Sequence, residues 1–191
     1  MKKIHYAVLY TSFLLFANAL SANETKFAEL NNQKFGDMKK MTIASNTTSV
    51  PQTIFFDIGG KELTLHDFKG RLTLVNFWAT WCAPCRKEMP SLEELSNQIG
   101  GDTFQVVTIA TMRSSEEAVK KFFNDNNIID LPKFRDPKGH LARASGVAAL
   151  PLTILLDRNG NEISRLIGDA DWSQDETIEF IKKAIEIDKL N

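Results

Sequence analysis

The stretch Leu72-Thr73-Leu74-Val75-Asn76-Phe77-Trp78-Ala79-Thr80-Trp81-Cys82-Ala83-Pro84-Cys85-Arg86-Lys87-Glu88-Met89-Pro90 holds both cysteines of the chain. Its apolar run, residues 72–78, predicts a buried strand. Cys82 and Cys85 follow where a helix should begin, and a thiol pair on a strand-to-helix turn points to redox chemistry. At the N-terminal end of a helix, unpaired N–H groups and the helix dipole stabilise an anion, so the Cys82 thiol should have a lowered pKa. Only the thiolate attacks a disulfide, which makes Cys82 the nucleophile and places Cys85, one turn further in, to resolve the mixed disulfide. Pro84 has no N–H to leave unpaired in the first turn. Glu88 stands three residues after Cys85 on the same helix face, where a partly buried carboxylate would be placed to exchange protons with the resolving thiol; a surface glutamate is the competing reading. Arg86 and Lys87 read equally as solvated helix residues or as charges that steer an acidic partner. Pro90 predicts a kink.

The rest of the composition narrows the field. The chain has 191 residues, of which 43% are hydrophobic, enough for one domain with a sizeable core. A formal net charge of -1, with no long block of one sign, gives no reason to expect a nucleic-acid partner. Two cysteines cannot form a disulfide scaffold. They would make a four-ligand zinc site only if His66 and His140 both converged on them. Those histidines lie in separate segments without ligand spacing, so no metal site is expected.

Residues 1–22 read as a signal peptide. Lys2 and Lys3 precede an apolar run at 7–16, interrupted only by Thr11 and Ser12, and the small residues Ala17, Ala19, Ser21 and Ala22 follow. Cleavage after Ala19 fits the Ala-x-Ala pattern, with Ser21 and Ala22 as alternatives. The run is short against the roughly 20 residues of a membrane span; an uncleaved anchor is the second reading. No cysteine follows it to carry a lipid. Export would place the two thiols outside the reducing cytosol. Residues 23–49 are polar and read as a linker with a short helix, because Phe27, Leu30, Met38 and Met41 share one helical face. A plain spacer is the competing reading.

The folded domain is expected over residues 50–191. Segments 53–57 and 61–65 flank Gly59-Gly60 and predict a β-hairpin. Strands are expected at 71–78, 104–110, 133–135, 152–156 and 162–167, the last two joined by the turn Asp157-Arg158-Asn159-Gly160. Helices are expected at 83–99 (interrupted at Pro90), 114–126 with a Ser114/Glu117 capping box, 139–144, and a last one capped by Ser173 and Glu176 with Ile178, Ile181 and Ile185 buried. Strands alternating with helices, then a hairpin and a helix, indicate an α/β fold with a mixed sheet flanked by helices.

These residues together resemble the thioredoxin fold and, within it, the TlpA/ResA group of exported thiol-disulfide oxidoreductases. The resemblance rests on Asp67-Phe68-Lys69-Gly70, on the stretch from Val75 through Pro90, on Gly146-Val147 leading to Leu150-Pro151-Leu152-Thr153, and on the Asp157 turn. It implies a thioredoxin-like domain with an extra N-terminal β-hairpin, and it identifies Pro151 with the family's cis-proline beside the active-site sulfurs. It also implies a substrate contact surface of Trp81, Ala83, Pro84, Leu150 and Pro151, and a glutamate, Glu88, that tunes the cysteines. Asn76 stands where cytosolic relatives keep a buried aspartate as proton acceptor; an asparagine cannot take that proton, so the role passes to Glu88.

The leading functional expectation is a periplasmic protein thiol-disulfide oxidoreductase that reduces client proteins such as cytochrome c or copper-site assembly factors. Its redox element is the Cys82–Cys85 disulfide, with no other cofactor. By resemblance, a membrane donor of the DsbD/CcdA type supplies electrons to a monomer. A net oxidant is the related alternative, since Cys-x-x-Cys potentials range over more than about 100 mV. A copper chaperone using the two thiolates and a histidine, and a thiol peroxidase built on Thr80-Trp81-Cys82, are alternatives from other classes.

Overall fold

The computed structural model describes residues 26–189; the expected signal peptide lies outside them. The strands are β1 (Thr42–Ser49), β2 (Phe55–Asp57), β3 (Glu62–Leu63), β4 (Leu72–Trp78), β5 (Phe104–Thr111), β6 (Lys133–Asp136), β7 (Leu152–Leu156) and β8 (Asn161–Ile167). They form one mixed sheet in the order β1-β8-β7-β4-β5-β6-β2-β3. β4 lies at its middle, parallel to β5 and antiparallel to β7. The α-helices are α1 (Ala83–Ile99), α2 (Glu116–Asp125), α3 (His140–Ala144) and α4 (Asp175–Lys189). The expected N-terminal hairpin is present as β2 and β3, shorter than the sequence suggests, with Phe55 opposite Leu63.

All seven residues of β4 are buried, as a strand covered on both faces requires. Because side chains alternate along a strand, its residues divide between two cores. Leu74 and Trp78 join Cys85, Met89, Leu92 and Leu95 of α1, while Val75 and Phe77 pack on the opposite side with Phe55 and Leu141. Asn76 falls between Leu74 and Trp78 and so points to the α1 side. A polar residue buried there needs partners (below), and the geometry of the redox centre follows from that need.

Five features depart from the sequence reading. The folded unit does not begin at residue 50: β1 pairs antiparallel with β8, Thr42 opposite Arg165 and Ser49 opposite Asn161. As an outer strand with no fully buried side chain, β1 has no apolar alternation, and β-branched Thr42, Ile43, Thr47 and Thr48 are its faint signature. Phe27, Leu30, Met38 and Met41 are all buried, as their shared face suggests, but not on one helix. Short 3-10 turns at Glu29–Gln33 and Gly36–Lys40 carry the chain past α4, with Gly36 at φ 50° breaking any longer helix. The 3-10 period of three residues brings Met38 and Met41 to one side.

α1 also runs unbroken through Pro90, because Met89 and Leu92 on either side are fully buried and packing holds the helix where one backbone bond is lost. The N-cap of α2 is Ser115, whose hydroxyl accepts from Ala118 N–H, rather than Ser114. Of two adjacent serines only one stands three residues before an N3 amide. Ser173 does not cap α4 in the expected way either; its hydroxyl donates to Asp171 Oδ1.

If the segment ahead of β1 belongs to the folded unit, Met38→Ala, which empties a fully buried site, should lower the unfolding free energy by about 2–5 kcal/mol in urea titrations. Unchanged stability would mean that the segment folds independently of the core.

Candidate functional site

The chain leaves β4 at Trp78, whose buried ring packs against Phe122 and Phe123 of α2 at centroid distances of 5.1 and 5.8 Å. This anchor fixes the start of the loop to α1. Thr80 N–H donates to Ser114 Oγ (3.2 Å), the serine that the helix cap left free, and Cys82 N–H donates to Ala79 O (3.0 Å). Cys82 is the N-cap residue of α1 and Cys85 lies in its first turn, joined to it by a disulfide. Cys82 Sγ accepts the Cys85 N–H at 3.3 Å, so a helix N-terminal amide points at the sulfur that would carry thiolate charge. Cys85 is fully buried and Cys82 is 6% exposed, which leaves Cys82 as the sulfur nearer solvent.

Glu88 lies one turn beyond Cys85 and is 3% exposed. Its Oε1 accepts from Asn76 Nδ2 at 2.8 Å, and its Oε2 accepts from Ala170 N–H at 3.1 Å and Trp172 Nε1 at 3.0 Å. Asn76 Nδ2 also donates to Thr153 Oγ1 (2.9 Å), its cross-strand neighbour on β7. Burial pushes the Glu88 carboxyl up to about 7; the Trp172, Asn76 and Ala170 donors pull it back, and the negative charge of Asp169 raises it further. Desolvation wins, leaving a carboxyl that changes protonation near neutrality. The other buried charged residues in the described chain are Asp136, Asp157 and Asp188, all acids.

A groove of about 330 Å³ at Cys82 is lined by Trp81, Pro84, Met112, Val147, Ala148, Ala149 and Leu150. Of the residues expected to contact substrate, Trp81, Pro84 and Leu150 line it. Ala83 is exposed beside Cys82 without lining it, and Pro151 is buried behind Leu150. The Leu150–Pro151 peptide is cis, as the resemblance implies.

Met112 and Arg113 have φ of 44° and 32°, a left-handed conformation uncommon for residues with a side chain. The turn is held by Met112 N–H on Asp136 O (3.1 Å), while Asp136 Oδ2 accepts from Thr111 Oγ1 and Ala142 N–H. Gly139, at φ 66°, keeps that packing possible, since a Cβ there would lie 2.8 Å from Met112 Cγ. Arg113 sits 5.5 Å over the exposed Trp81 ring. His66 is engaged elsewhere, its Nε2 3.3 Å from Val50 O, and His140 lines a separate surface pocket with Ile54 and Phe56.

Sequence reasoning missed Ala170, Trp172, Thr153, Met112 and Arg113. Thr153 was readable, since a buried asparagine on β4 needs a polar neighbour on the adjacent strand. The loop at 169–172 carried no such signal, because its donors include a main-chain amide that any residue supplies.

The carboxyl of Glu88 binds a proton more tightly folded, near 7, than unfolded, near 4.5, so its contribution to stability is intact below about pH 4.5 and lost as pH rises through 7. Glu88→Gln removes that loss. Between pH 5 and 8 the unfolding free energy of the oxidised variant should gain on the parent by about 2–3 kcal/mol. Parallel pH profiles for the two proteins would show that Glu88 titrates normally.

Comparison with known proteins agrees with this site. Residues 40–179 match the Redoxin family model. The thiol-disulfide oxidoreductase ResA of Bacillus cereus is 32% identical over 149 residues, 78% of this chain and 82% of its own length. A thiol:disulfide interchange protein of the thioredoxin family from Chlorobium tepidum superposes with a TM-score of 0.60 at 26% identity, over 73% of this chain and 97% of that one. A secreted thiol-disulfide isomerase from Corynebacterium glutamicum shares the fold at a TM-score of 0.66 and 22% identity, over 81% and 95% of the two chains. With a Cys82–Cys85 disulfide at a helix N-terminus on this scaffold, the chain belongs to the Redoxin family and is a thiol-disulfide oxidoreductase of the ResA type.

Proposed function

We propose that this oxidoreductase is exported and acts as a reductant of client protein disulfides. Cys82 thiolate attacks one sulfur of the client disulfide, forming a mixed disulfide and releasing the client's other sulfur as a thiolate. Cys85, its proton passed to Glu88, attacks Cys82 Sγ. The Cys82–Cys85 disulfide forms, the second client sulfur leaves, and the client thiolates take up two protons. Two electrons have then moved to the client, and a thiol donor at the membrane, of the DsbD/CcdA type, resets the pair. Trp81, Pro84 and Leu150 hold the client segment in the groove while Pro151 shapes its wall, and Ala83 faces the client beside Cys82.

The observation that carries the reductive direction is the character of the buried charge near the sulfurs. The ionisable side chain buried one turn from Cys85, Glu88, is a carboxylate. A strong oxidant stabilises its reduced form by stabilising the thiolate. A nearby carboxylate opposes that thiolate, so the reduced pair is less stable and gives up electrons more readily.

Asn76 supports proton handling by Glu88. Its amide donates to the carboxylate, and its own Oδ1 has no partner among the described residues. Turned over, the same amide would accept from a protonated Glu88, so one side chain can serve both protonation states. Clients among cytochrome c or copper-site assembly factors are the class we assign to this mostly apolar groove. A signal peptide over residues 1–22 would supply the periplasmic address, with an uncleaved anchor as its variant.

Redox titration against glutathione or dithiothreitol should place the potential nearer thioredoxin's, about −270 mV, than DsbA's, about −120 mV. A value near DsbA's would make the protein a disulfide donor and end the reductase reading. Cys85→Ser, which keeps the attacking thiol and removes the resolving one, should accumulate client mixed disulfides, and Cys82→Ser should not. Trapping by the latter alone would reverse the two roles.

A further inference from the structure

The Redoxin match begins at residue 40, so the 3-10 turn Gly36–Lys40 lies almost wholly ahead of it. That turn reaches the loop at 169–172, which supplies two of the three donors to Glu88. Asp37 Oδ2 accepts Asp171 N–H at 2.9 Å, and Lys40 Nζ donates to Asp169 O at 2.9 Å, while Asp37 and Lys40 pair with each other at 2.7 Å. Ala170 N–H, whose bond to Glu88 Oε2 is 3.1 Å long, is thus bracketed on both sides by contacts from the turn. Met38 is fully buried in the same core as Trp172. The helix side of the loop is tied separately, by Trp172 N–H on Ser91 Oγ at 3.1 Å.

We infer that Gly36–Lys40 is a clamp on the redox centre: Asp37 and Lys40 are positioning residues that hold the loop at 169–172 so that Ala170 N–H and the Trp172 indole stay on the Glu88 carboxylate. This rests on the reading of Glu88 as the proton partner of Cys85. Asp37, Lys87, Glu94, Asp169 and Asp171 line a cleft of about 350 Å³ together with Glu88, and Lys40 is paired to Asp37 behind it. Glu88 therefore faces charges from the turn, from α1 and from the loop. Removing Asp37 has two opposed effects. Loss of its negative charge favours the Glu88 carboxylate, whereas release of the loop takes donors from the carboxylate and favours the acid. Asp37→Asn removes the charge, and with it the ion pair to Lys40, but keeps the loop bond, because its amide oxygen still accepts Asp171 N–H.

The test is the pH dependence, from 5 to 9, of the rate at which the reduced full-length protein reduces a small aromatic disulfide, with thermal unfolding followed in parallel. Glu88→Gln identifies the inflexion that belongs to Glu88. Asp37→Ala combined with Lys40→Ala should move that inflexion up by about one pH unit, the effect expected for losing one hydrogen bond to a charged group. Asp37→Asn should leave it in place or move it slightly down. In a Glu88→Gln background the double substitution should leave the profile unmoved. An unmoved inflexion in the double variant, or an equal change with and without Glu88, overturns the clamp while sparing the role of Glu88. If Glu88→Gln itself leaves the profile unchanged, the proton-partner reading fails and the clamp falls with it. Should the double variant not fold, Asp37→Ala against Asp37→Asn carries the same comparison, an upward shift for alanine supporting the clamp and equal profiles rejecting it.

Discussion

Three N–H donors drawn from β4 and from the loop before α4 converge on the carboxylate of Glu88, which α1 carries into the core one turn past Cys85. Burying a carboxylate is costly, and an unpaired one would stay protonated far above neutrality. The donors bring it back to about 7, so that it changes protonation near neutrality, as the proposed mechanism requires. The layout around the cysteines follows from this balance. The sheet must offer an amide at Asn76, the chain must return past α1 at 169–172, and something must keep that return in place.

The balance explains why a fold with a reactive sulfur at a helix N-terminus need not be a strong oxidant. The amide at Cys85 N stabilises a thiolate on Cys82, and the carboxylate one turn further on opposes it. The two effects have opposite signs and act on the same sulfurs, so the potential depends on their difference. On this account small changes at Ala170, Trp172 or their supports should tune the redox chemistry without touching the cysteines, and the groove of Trp81, Met112 and Leu150 is left free to vary with the client.

Much of this was legible in the chain itself. The strand, the cysteine pair and Glu88 sit in one contiguous stretch, where spacing along a single strand and a single helix fixes which faces they share. Period-two alternation places Asn76 on the face of Leu74 and Trp78, and the packing of the core shows that α1 covers that face. What stayed hidden involves segments distant in sequence. Ala170 offers a main-chain amide, which leaves no trace in residue type, and Trp172 reads as another core aromatic until its indole partner is known. The strand β1 escaped because an outer strand with exposed side chains has no apolar pattern. Met38 and Met41 are buried together as their spacing suggests, yet at a 3-10 turn and not on an α-helix, since a spacing of three serves both alike.

The proposed proton transfer depends most directly on the protonation of one side chain. A carbon-detected NMR titration of the Glu88 carboxyl, assigned by comparison with Glu88→Gln, measures it in the oxidised protein. The carboxyl should titrate near 7 and move higher when the cysteines are reduced and Cys85 shares its proton. A Glu88 that titrates near 4.5 in both redox states would contradict the coupling on which the proposed mechanism rests.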